Sequence, residues 1–351
     1  MKKIKLKFAG FSGFGDGWSE KNNWIWDILT SRYDVEISDD PHWLICSIFD
    51  NYEYTQYDCP RIFYTGDSFI PDFNLVDYAI SWARIELGDR HFRYPACIRN
   101  QRFEYTAKEL AQRVITPNDV KTILDSKSIF CNFIQSNAGE NQLRTIFFEE
   151  LSAKYKQVTS AGTYLNNMPD GQVIPHSPAK IAFQEKCKFT MAFEPVREPG
   201  FCTEKITDAF YAKSIPIYYG DPHITEIFNP KAFINVSDYK NNDEVIEAIR
   251  RLDNDDEAYM QMLCEPVFND PQLPERWYNE LCEFFYHIFD QEPSKAYRRS
   301  RVYAPAEHNE KLKSLHVVKS HKWGNRLFNA THASIMGGFR GLWRYAFKNR
   351  R

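Results

Sequence analysis

The chain has 351 residues, which is enough for two domains with separate hydrophobic cores. Hydrophobic residues make up 43% and charged residues 26%, a composition typical of soluble globular proteins. No apolar stretch approaches the roughly 18 residues of a membrane-spanning helix, so we expect no such helix.

The formal charge is distributed unevenly along the chain. The net value is −3, yet residues 311–351 contain ten Lys or Arg and no Asp or Glu. Subtracting these ten charges leaves −13 on the first 310 residues. A basic tail on an acidic body needs its own explanation.

The eight cysteines form no CxxC pair, and no histidine cluster has the spacing of a zinc site. Several lie inside apolar runs such as WLICSIF and IFCNFI. We therefore expect buried free thiols in a reducing compartment. The N-terminus, MKKIKLKFAGF, lacks the apolar region of a signal peptide. These features predict a cytoplasmic protein.

The first part of the chain has a βαβ-like pattern. Residues 4–11 predict a strand, a glycine-rich turn follows, and apolar residues at helical spacing predict a helix within residues 18–32. The short apolar runs DVEI, WLICSIF, RIFYTG and YAISW come next. Each is bounded by polar or turn residues, as buried strands are. The pattern predicts a mostly parallel sheet covered by helices.

Residues 98–126 are polar and weakly patterned, and we interpret them as the connection between two domains. A second alternation follows, with strands at SIFCNFIQS, KFTMAFE, SIPIYYG and AFINV and helices at NQLRTIFFEELSAKY and TEKITDAFYAK. Helices are predicted at residues 242–253, 255–264 and 273–290. Two such units predict an α/β protein with two Rossmann-like domains facing a cleft. The predicted boundaries give domains 1–115 and 116–300 and a tail, 301–351.

Residues 186–239 contain the most informative motif. A strand pattern ends at Glu194, and a loop leads to Thr203, a favourable N-cap whose hydroxyl can accept a backbone N–H. A helix N-terminus attracts anions, and Lys205 adds a positive charge there. Glu204 is a suitable partner for ribose hydroxyls. The motif can hold a sugar-nucleotide diphosphate without a metal. The alternative is a loop that only connects strand and helix, with both charged residues solvated.

This stretch resembles the donor-binding motif of the alpha-1,3/4-fucosyltransferases, in particular the Helicobacter type. That motif is a strand ending in FEN, a short loop, YVTEK, a helix, IPIYxG, and then FxPxxFIxVxD followed by Phe or Tyr. The matching residues are Phe193, Glu194, Thr203, Glu204, Lys205, Ala209, Ile215, Pro216, Tyr218, Gly220, Phe228, Pro230, Phe233, Val236 and Asp238. Residues 61–95 are similar to the family's acceptor-domain segment, and CNFIQSNAGENQLRTIFFEEL resembles its first donor-domain strand and helix. Together these matches cover roughly half of the chain.

The resemblance implies a GT-B fold with an N-terminal acceptor domain and a C-terminal donor domain. It also implies inverting transfer of L-fucose from GDP-fucose, with no cofactor or metal, to an acceptor glycan. The expected linkage is alpha-1,3 to GlcNAc or a similar sugar of a surface polysaccharide or lipopolysaccharide. Two alternatives stay open. One is a transferase that uses another GDP-sugar such as GDP-mannose, and the other is a catalytically silent glycan- or nucleotide-binding relative.

The resemblance assigns the general base to the carboxylate directly after Tyr-Thr-Gly. This position is Asp67, where the family has Glu, one methylene longer. An inverting transfer needs a base within about 3 Å of the attacking hydroxyl. Glu86 and Glu194 are the alternative bases, and Asp67 is then only a turn residue.

The same resemblance places Arg144 on the diphosphate, since a guanidinium fork can hold two phosphate oxygens and stabilise departing GDP. Its alternative role is that of a surface helical arginine. Lys205 shares the diphosphate and Glu204 holds the ribose. Two positions depart from the family motif: Pro195 replaces Asn, and Phe201 replaces Tyr and so lacks a hydroxyl near the donor.

The basic tail has an amphipathic pattern toward its end. Phe339, Leu342, Trp343 and Phe347 repeat at helical spacing, and basic residues form a second stripe. Such a helix suits an anionic membrane surface, which predicts a peripheral position on the inner face of the cytoplasmic membrane. A tail packed on the acidic body is the main alternative. Nucleic acid is not an expected partner, although a basic tail is compatible with RNA.

Overall fold

The computed structural model describes residues 1–13, 18–98, 106–174 and 178–333. Packing divides the chain into two units. The first comprises Met1–Ser81, Leu87–Phe92 and the chain from Phe284 onward, and the second comprises Trp82–Glu86 and Arg93–Glu283. The predicted domains 1–115, 116–300 and 301–351 are a functional division and stay predictions.

The first unit is built on a sheet whose described strands follow the order β2-β1-β3-β4-β5-β6. Its elements are β1 (Lys3–Ala9), α1 (Trp24–Thr30), β2 (Asp34–Ile37), β3 (Trp43–Cys46), β4 (Arg61–Tyr64), β5 (Tyr78–Ser81) and β6 (His91–Arg93). The pairs from β2 through β5 are parallel. Every residue of β3, β4 and β5 is buried, as expected for parallel strands covered on both faces.

The second unit contains another parallel sheet, in the order β11-β10-β9-β7-β8. Its elements are α2 (Ala107–Gln112), α3 (Pro117–Ser126), β7 (Ile129–Phe133), α4 (Leu143–Lys154), β8 (Thr159–Ser160), α5 (Ala179–Gln184), β9 (Cys187–Phe193), α6 (Glu204–Tyr211), β10 (Ile215–Tyr219), β11 (Ile234–Asn235), α7 (Asn242–Asp253), α8 (Asp256–Cys264) and α9 (Leu273–Phe289). The boundary between the units falls within α9. The predicted strands and the three predicted C-terminal helices are confirmed.

The interpretation of residues 98–126 as a connection is wrong for residues 107–126, which form α2 and α3. Both helices begin with a capping box, Thr106 with Glu109 and Thr116 with Asp119. Val120 and Ile123 on α3 join the core of the second unit. A Thr followed three residues later by an acid is the usual signature of such a start, and it identifies both helices in an otherwise polar sequence.

Residues 297–320, which follow the end of the second unit, pack on the first unit. Asp77, which is fully buried, accepts hydrogen bonds from the backbone N–H groups of Arg298 (2.7 Å) and Arg299 (2.9 Å) and pairs with the Arg299 guanidinium. The helix α10 (Tyr303–Ser320) follows. Gln56 Nε2 donates to Lys313 O at 3.2 Å, and Leu312 packs on the core. This part of the predicted tail therefore packs on the body.

Residues 322–333 are also helical. Within them Trp323 is 78% exposed and Leu327 is 71% exposed. The predicted amphipathic stripe from residue 335 onward lies outside the described residues. Among the residues that are described, no helix combines the length and hydropathy that a bilayer span requires.

All eight cysteines lie in the described ranges and are free thiols. Six are buried, whereas Cys264 and Cys282 are partly exposed. Burial raises the pKa of the Cys131 and Cys202 thiols well above its ordinary value. The sequence predicts buried thiols, and the structure buries six of the eight.

Candidate functional site

Three loops meet at the carboxyl edge of the second sheet, after β7, β9 and β10. Hydrogen bonds join them: Glu140 N donates to Pro195 O at 2.7 Å, and Glu194 N donates to Tyr219 O at 2.7 Å. A third bond links Gly200 N to Asp221 Oδ1 at 2.8 Å. Ligands of open parallel sheets bind at this edge, so the loops form a candidate site.

Glu194, Thr203 and Lys205 form one hydrogen-bonded cluster at this edge. Glu194 is 3% exposed, and its Oε1 accepts from the Thr203 backbone N–H (2.7 Å) and from the Thr203 hydroxyl (2.9 Å). Lys205 Nζ lies 3.2 Å from Glu194 Oε2 and donates to Thr203 Oγ1 at 2.9 Å. The carboxylate thus holds the start of α6 and aims the ammonium group of Lys205.

Thr203 occupies the N-cap position of α6, as predicted, but its side chain makes no capping hydrogen bond. The expectation that its hydroxyl accepts a backbone N–H is wrong. The hydroxyl donates to Glu194 instead and accepts from Lys205. A buried carboxylate is a stronger hydrogen-bond acceptor than a neutral oxygen, so the Thr203 hydroxyl donates its hydrogen bond to Glu194.

Arg144 lies on α4 and is buried, with 3% of its surface exposed. Nη2 donates to Phe193 O at 2.9 Å, and Nη1 donates to Asn137 Oδ1 at 3.1 Å. Its Nε is buried without a hydrogen-bond partner among the described residues. Burial lowers the pKa of the guanidinium, and the Glu194 carboxylate acts in the opposite direction. The alternative of a surface arginine is therefore excluded.

Phe201 and Glu204 have different surroundings. Phe201 is 2% exposed and packs edge-on against Trp82, with the ring centroids 5.1 Å apart. Its ring thus fixes the loop before α6. Glu204 is the first residue of α6 and is partly exposed, as a ligand-contacting residue at this edge would be.

The loop between Glu194 and Thr203 makes a tight approach at Gly200. Its φ is +94°, and a Cβ there would lie 2.7 Å from the Trp82 carbonyl oxygen. Only glycine satisfies both conditions without strain. Asp221 Oδ1 also accepts from His223 N at 2.9 Å, so one buried carboxylate fixes two loops.

Cationic and anionic side chains balance at the candidate site. Arg144 and Lys205 contribute two cations and Glu194 and Glu204 two anions, so the positive end of the α6 dipole supplies the attraction for an anionic ligand. In the described part of the chain, no group of three or more His, Cys, Asp or Glu side chains is placed to hold a metal ion. Arg144, Lys205 and the start of α6 are groups that can bind a phosphate.

Two family models match successive parts of the chain. The alpha-(1,3)-fucosyltransferase FucT N-terminal domain matches residues 9–99. The glycosyltransferase family 10 (fucosyltransferase) C-terminal region matches residues 124–296. The chain belongs to this fucosyltransferase family.

Its relatives agree with this assignment. The chain is similar to the alpha-(1,3)-fucosyltransferase FucT of Helicobacter pylori, with 30% identity over 76% of this chain and 60% of that protein. It is also similar to the human GDP-fucose protein O-fucosyltransferase 3, with 28% identity over 54% of this chain and 39% of that protein. The matched region thus spans less than two thirds of these curated fucosyltransferases.

A crystal structure of an alpha1,3-fucosyltransferase with GDP-fucose matches the fold with a TM-score of 0.60 and 25% identity. The match covers 81% of this chain and 91% of that one. The predicted α/β fold with two Rossmann-like, GT-B-type sheets is confirmed. The predicted membership of the fucosyltransferase family is confirmed as well.

The carboxylates considered as the base lie in different environments in this fucosyltransferase fold. Asp67 is exposed in the first unit, on the loop after β4, and its backbone N–H donates to Thr65 Oγ1 at 3.0 Å. Glu86 is exposed in the second unit. Glu194 is buried and engaged with Thr203 and Lys205, which favours a positioning role over that of a base. The role of Asp67 stays a prediction.

Sequence reasoning missed two residues of the candidate site, Asn137 and Asp221. Asn137 orients Arg144 and also accepts from Gly139 N at 3.0 Å. Its position in the turn SNAGE, directly after a strand, was an available signal. Asp221 follows Tyr-Tyr-Gly at the end of β10. An acidic residue in the turn directly after a strand also indicates a residue of the site at the carboxyl edge of the sheet.

Proposed function

We propose that this protein transfers L-fucose from GDP-fucose to a hydroxyl of an acceptor glycan with inversion at the fucose C1. The observation that carries the proposal is the position of two cations at the carboxyl edge of the second sheet: Lys205, which pairs with Glu194, and Arg144, which donates to Phe193 O. Membership of the fucosyltransferase family and the likeness to a fucosyltransferase crystal structure with GDP-fucose support the same donor.

The two cations act on the diphosphate. Lys205, held by Glu194 and Thr203, supplies a point charge, and Arg144 supplies the Nε–H that has no partner among the described residues. Both groups are fixed before the donor arrives, so the negative charge that develops on departing GDP meets a preorganised positive site. Glu204 accepts hydrogen bonds from the ribose hydroxyls.

In the transfer step, an acceptor hydroxyl oxygen forms a bond to C1 while the bond from C1 to the diphosphate oxygen breaks. GDP leaves with that bonding electron pair, and Asp67 takes the hydroxyl proton. Because attack comes from the face opposite the leaving group, the anomeric configuration inverts. Asp67 suits this task because it is exposed at the carboxyl edge of a parallel sheet, where an acceptor can reach it. The bonds made and broken need no cofactor.

The proposed acceptor is GlcNAc, or a similar sugar, within a surface polysaccharide or lipopolysaccharide, joined through an alpha-1,3 linkage. We further propose that the C-terminal tail holds the protein at the inner face of the cytoplasmic membrane. The exposed side chains of Trp323 and Leu327, together with the basic residues that follow, support contact with an anionic lipid surface. A protein held there stays close to a lipid-linked acceptor.

The test is release of GDP from a panel of GDP-sugars crossed with an array of acceptor glycans. We expect GDP release above the hydrolysis background only with GDP-fucose and a GlcNAc-containing acceptor. Faster turnover of GDP-mannose would show that the donor is a GDP-sugar other than GDP-fucose. Tight GDP binding with no release from any donor would instead identify a silent binding protein.

A further inference from the structure

A turn with an unfavourable backbone conformation follows β3 in the first unit. Asp50, Asn51 and Tyr52 have φ angles of 63°, 52° and 67°, so three consecutive residues other than glycine lie in the left-handed region. This region is unfavourable for residues that carry a Cβ, and it is normally occupied by single residues. Such a conformation persists only where the surrounding structure holds it, and it is found mostly at functional sites.

The helix α10 supplies the contacts that hold this left-handed turn. His316 Nδ1 lies 3.1 Å from Asp50 O and 3.2 Å from Asn51 O. Because carbonyl oxygens only accept hydrogen bonds, Nδ1 carries the proton and donates to both. One helical turn earlier, Leu312 packs on the hydrophobic core of the first unit. The family match ends at residue 296, so this support comes from chain beyond the matched region.

The left-handed turn in its place holds the loop after β1. The Asp50 carboxylate accepts hydrogen bonds from the Ser12 backbone N–H at 3.2 Å and from the Ser12 hydroxyl at 2.5 Å. Phe49 N donates to Gly10 O at 3.2 Å. Both loops leave the carboxyl ends of neighbouring parallel strands, and Ser12 is exposed there. Asp50 and Ser12 thus form part of the edge at which ligands of parallel sheets bind.

The same edge of the first sheet carries the proposed base. Ser47, directly after β3, is fully buried. Its N–H donates to Ala9 O at 3.0 Å and its hydroxyl donates to Tyr64 O at 2.7 Å. These bonds join the ends of β1 and β4, and Asp67 lies on the loop that follows Tyr64. The loops after β1, β3 and β4 therefore share one frame.

We propose that His316 is a positioning residue for acceptor binding. Its two hydrogen bonds hold residues 50–52 in the left-handed conformation, which keeps Asp50 on Ser12 at the carboxyl edge of the first sheet. The inference rests on the proposed function, in which an acceptor hydroxyl reaches Asp67 at this edge. Because these contacts all lie within the first unit, loss of the His316 side chain is expected to weaken acceptor binding and to leave donor binding unchanged.

The experiment is steady-state transfer by the full chain from GDP-fucose to a soluble GlcNAc-containing oligosaccharide. His316→Ala is expected to raise KM for the acceptor by about tenfold, the effect of one or two neutral hydrogen bonds, with little change in kcat. The Kd for GDP, measured by calorimetry, is expected to stay unchanged. His316→Asn is expected to keep the acceptor KM within about twofold of the wild type, because its amide nitrogen can donate in place of Nδ1. The matched control is His321→Ala, on an exposed histidine directly after α10, and it is expected to change neither quantity.

Two further measurements address the left-handed turn itself. Asn51 is exposed, and glycine adopts the left-handed conformation without the Cβ penalty. Adding Asn51→Gly to His316→Ala is therefore expected to lower the acceptor KM relative to His316→Ala alone. Hydrogen exchange follows the turn without turnover, and the amides of residues 10–12 and 50–52 are expected to exchange faster in His316→Ala than in His321→Ala.

An unchanged acceptor KM in His316→Ala overturns the proposal, and so does an equal rise in KM with His316→Asn. Equal exchange of residues 10–12 and 50–52 in His316→Ala and His321→Ala overturns it as well. A wild type that transfers fucose to no acceptor would instead refute the proposed function, and the exchange comparison then still decides whether His316 holds the turn.

Discussion

Asp221 Oδ1 accepts a hydrogen bond of 2.8 Å from the backbone N–H of Gly200. The same oxygen accepts from His223 N at 2.9 Å, and Asp221 is 2% exposed. These bonds tie the loop after β9 to the loop after β10. Because the first of these loops leads directly into Thr203 and Lys205, Asp221 fixes the frame in which the two act.

Asp221→Ala is expected to lower the free energy of unfolding by about 1.5–3 kcal/mol, since it removes hydrogen bonds to a buried charged group. It is also expected to raise KM for the donor more than it lowers kcat. Denaturant unfolding and donor saturation curves measure both effects. Asp243→Ala, on an exposed ion pair with Lys154, is the control and is expected to change stability by less than about 0.5 kcal/mol. Equal unfolding midpoints for Asp221→Ala and the wild type would contradict this role.

Lys205→Ala is expected to weaken GDP binding by about 1.5–3 kcal/mol, because one charge-assisted hydrogen bond to the diphosphate is lost. The buried Glu194 also loses its cationic partner, so some loss of stability accompanies the weaker binding. Calorimetry with GDP measures the effect, with the exposed Lys231→Ala as the control. If GDP binds equally well to both variants, Lys205 does not contact the donor.

Asp67→Asn is expected to lower turnover by roughly 10²–10⁴, while GDP-fucose affinity stays within a few-fold. The amide has nearly the shape of the carboxylate but cannot accept the acceptor's proton. Single-turnover kinetics with a soluble oligosaccharide separates the two quantities. Glu86→Gln is the matched control. Normal turnover by Asp67→Asn together with loss of turnover by Glu86→Gln would move the base to Glu86.

Lys127 predicts a pH dependence of stability. Its Nζ donates to Glu185 O (2.8 Å) and Ala212 O (3.2 Å), at the carboxyl ends of α5 and α6. Burial lowers the pKa of Lys127 from 10.5 to about 8. Between these two values the unfolded chain binds more protons than the folded one, so the contribution of Lys127 to stability rises with pH.

We therefore expect the wild type to gain stability relative to Lys127→Met between pH 8 and pH 10.5. The gain is on the order of 1–3 kcal/mol, because one pKa unit corresponds to about 1.4 kcal/mol. Urea unfolding of both proteins at several pH values measures this gain. The other titrating groups are the same in both proteins, so their contributions cancel in the difference between the two free energies of unfolding. A difference that stays constant across this range would show that Lys127 titrates as in the unfolded chain.

The tail prediction is tested by removing residues 321–351, because residues 303–320 form α10 and pack on the first unit. We expect the shortened protein to lose sedimentation with anionic liposomes and to keep transfer to a soluble oligosaccharide. The measurement is made at low salt, where electrostatic attraction is least screened. If the full-length chain ignores anionic liposomes under these conditions, the membrane proposal is wrong.

Most of the fold could be predicted because its strands are short apolar runs. WLIC, RIFY and YAIS are buried throughout, and apolar runs of this length between turn residues have few other solutions. The helices at 107–126 were missed because their overall polarity outweighed two capping boxes in the interpretation. Val120, Ile123 and the partly buried Leu124 connect α3 to the core, and three apolar residues in a polar segment are a weak signal without the tertiary partner.

The sequence predicted which residues form the candidate site, but only some of the contacts between them. The motif supplied Arg144, Glu194, Thr203 and Lys205, and they gather at one sheet edge as parallel topology requires. The bond between Thr203 and Glu194 could not be predicted, because local capping rules consider only the backbone nearby. A buried carboxylate nine residues earlier offered a stronger acceptor.

The hydrogen bonds of Asp77 with Arg298 and Arg299 have a consequence for the order of events during synthesis. The partners Asp77 and Arg299 are 222 residues apart. At about 5–20 residues per second, a ribosome needs roughly 10–45 s to translate this interval. During this interval the Asp77 carboxylate lacks the Arg299 guanidinium, and by its end all of the second unit has been synthesised. This ion pair of the first unit can therefore form only after all of the second unit has been synthesised.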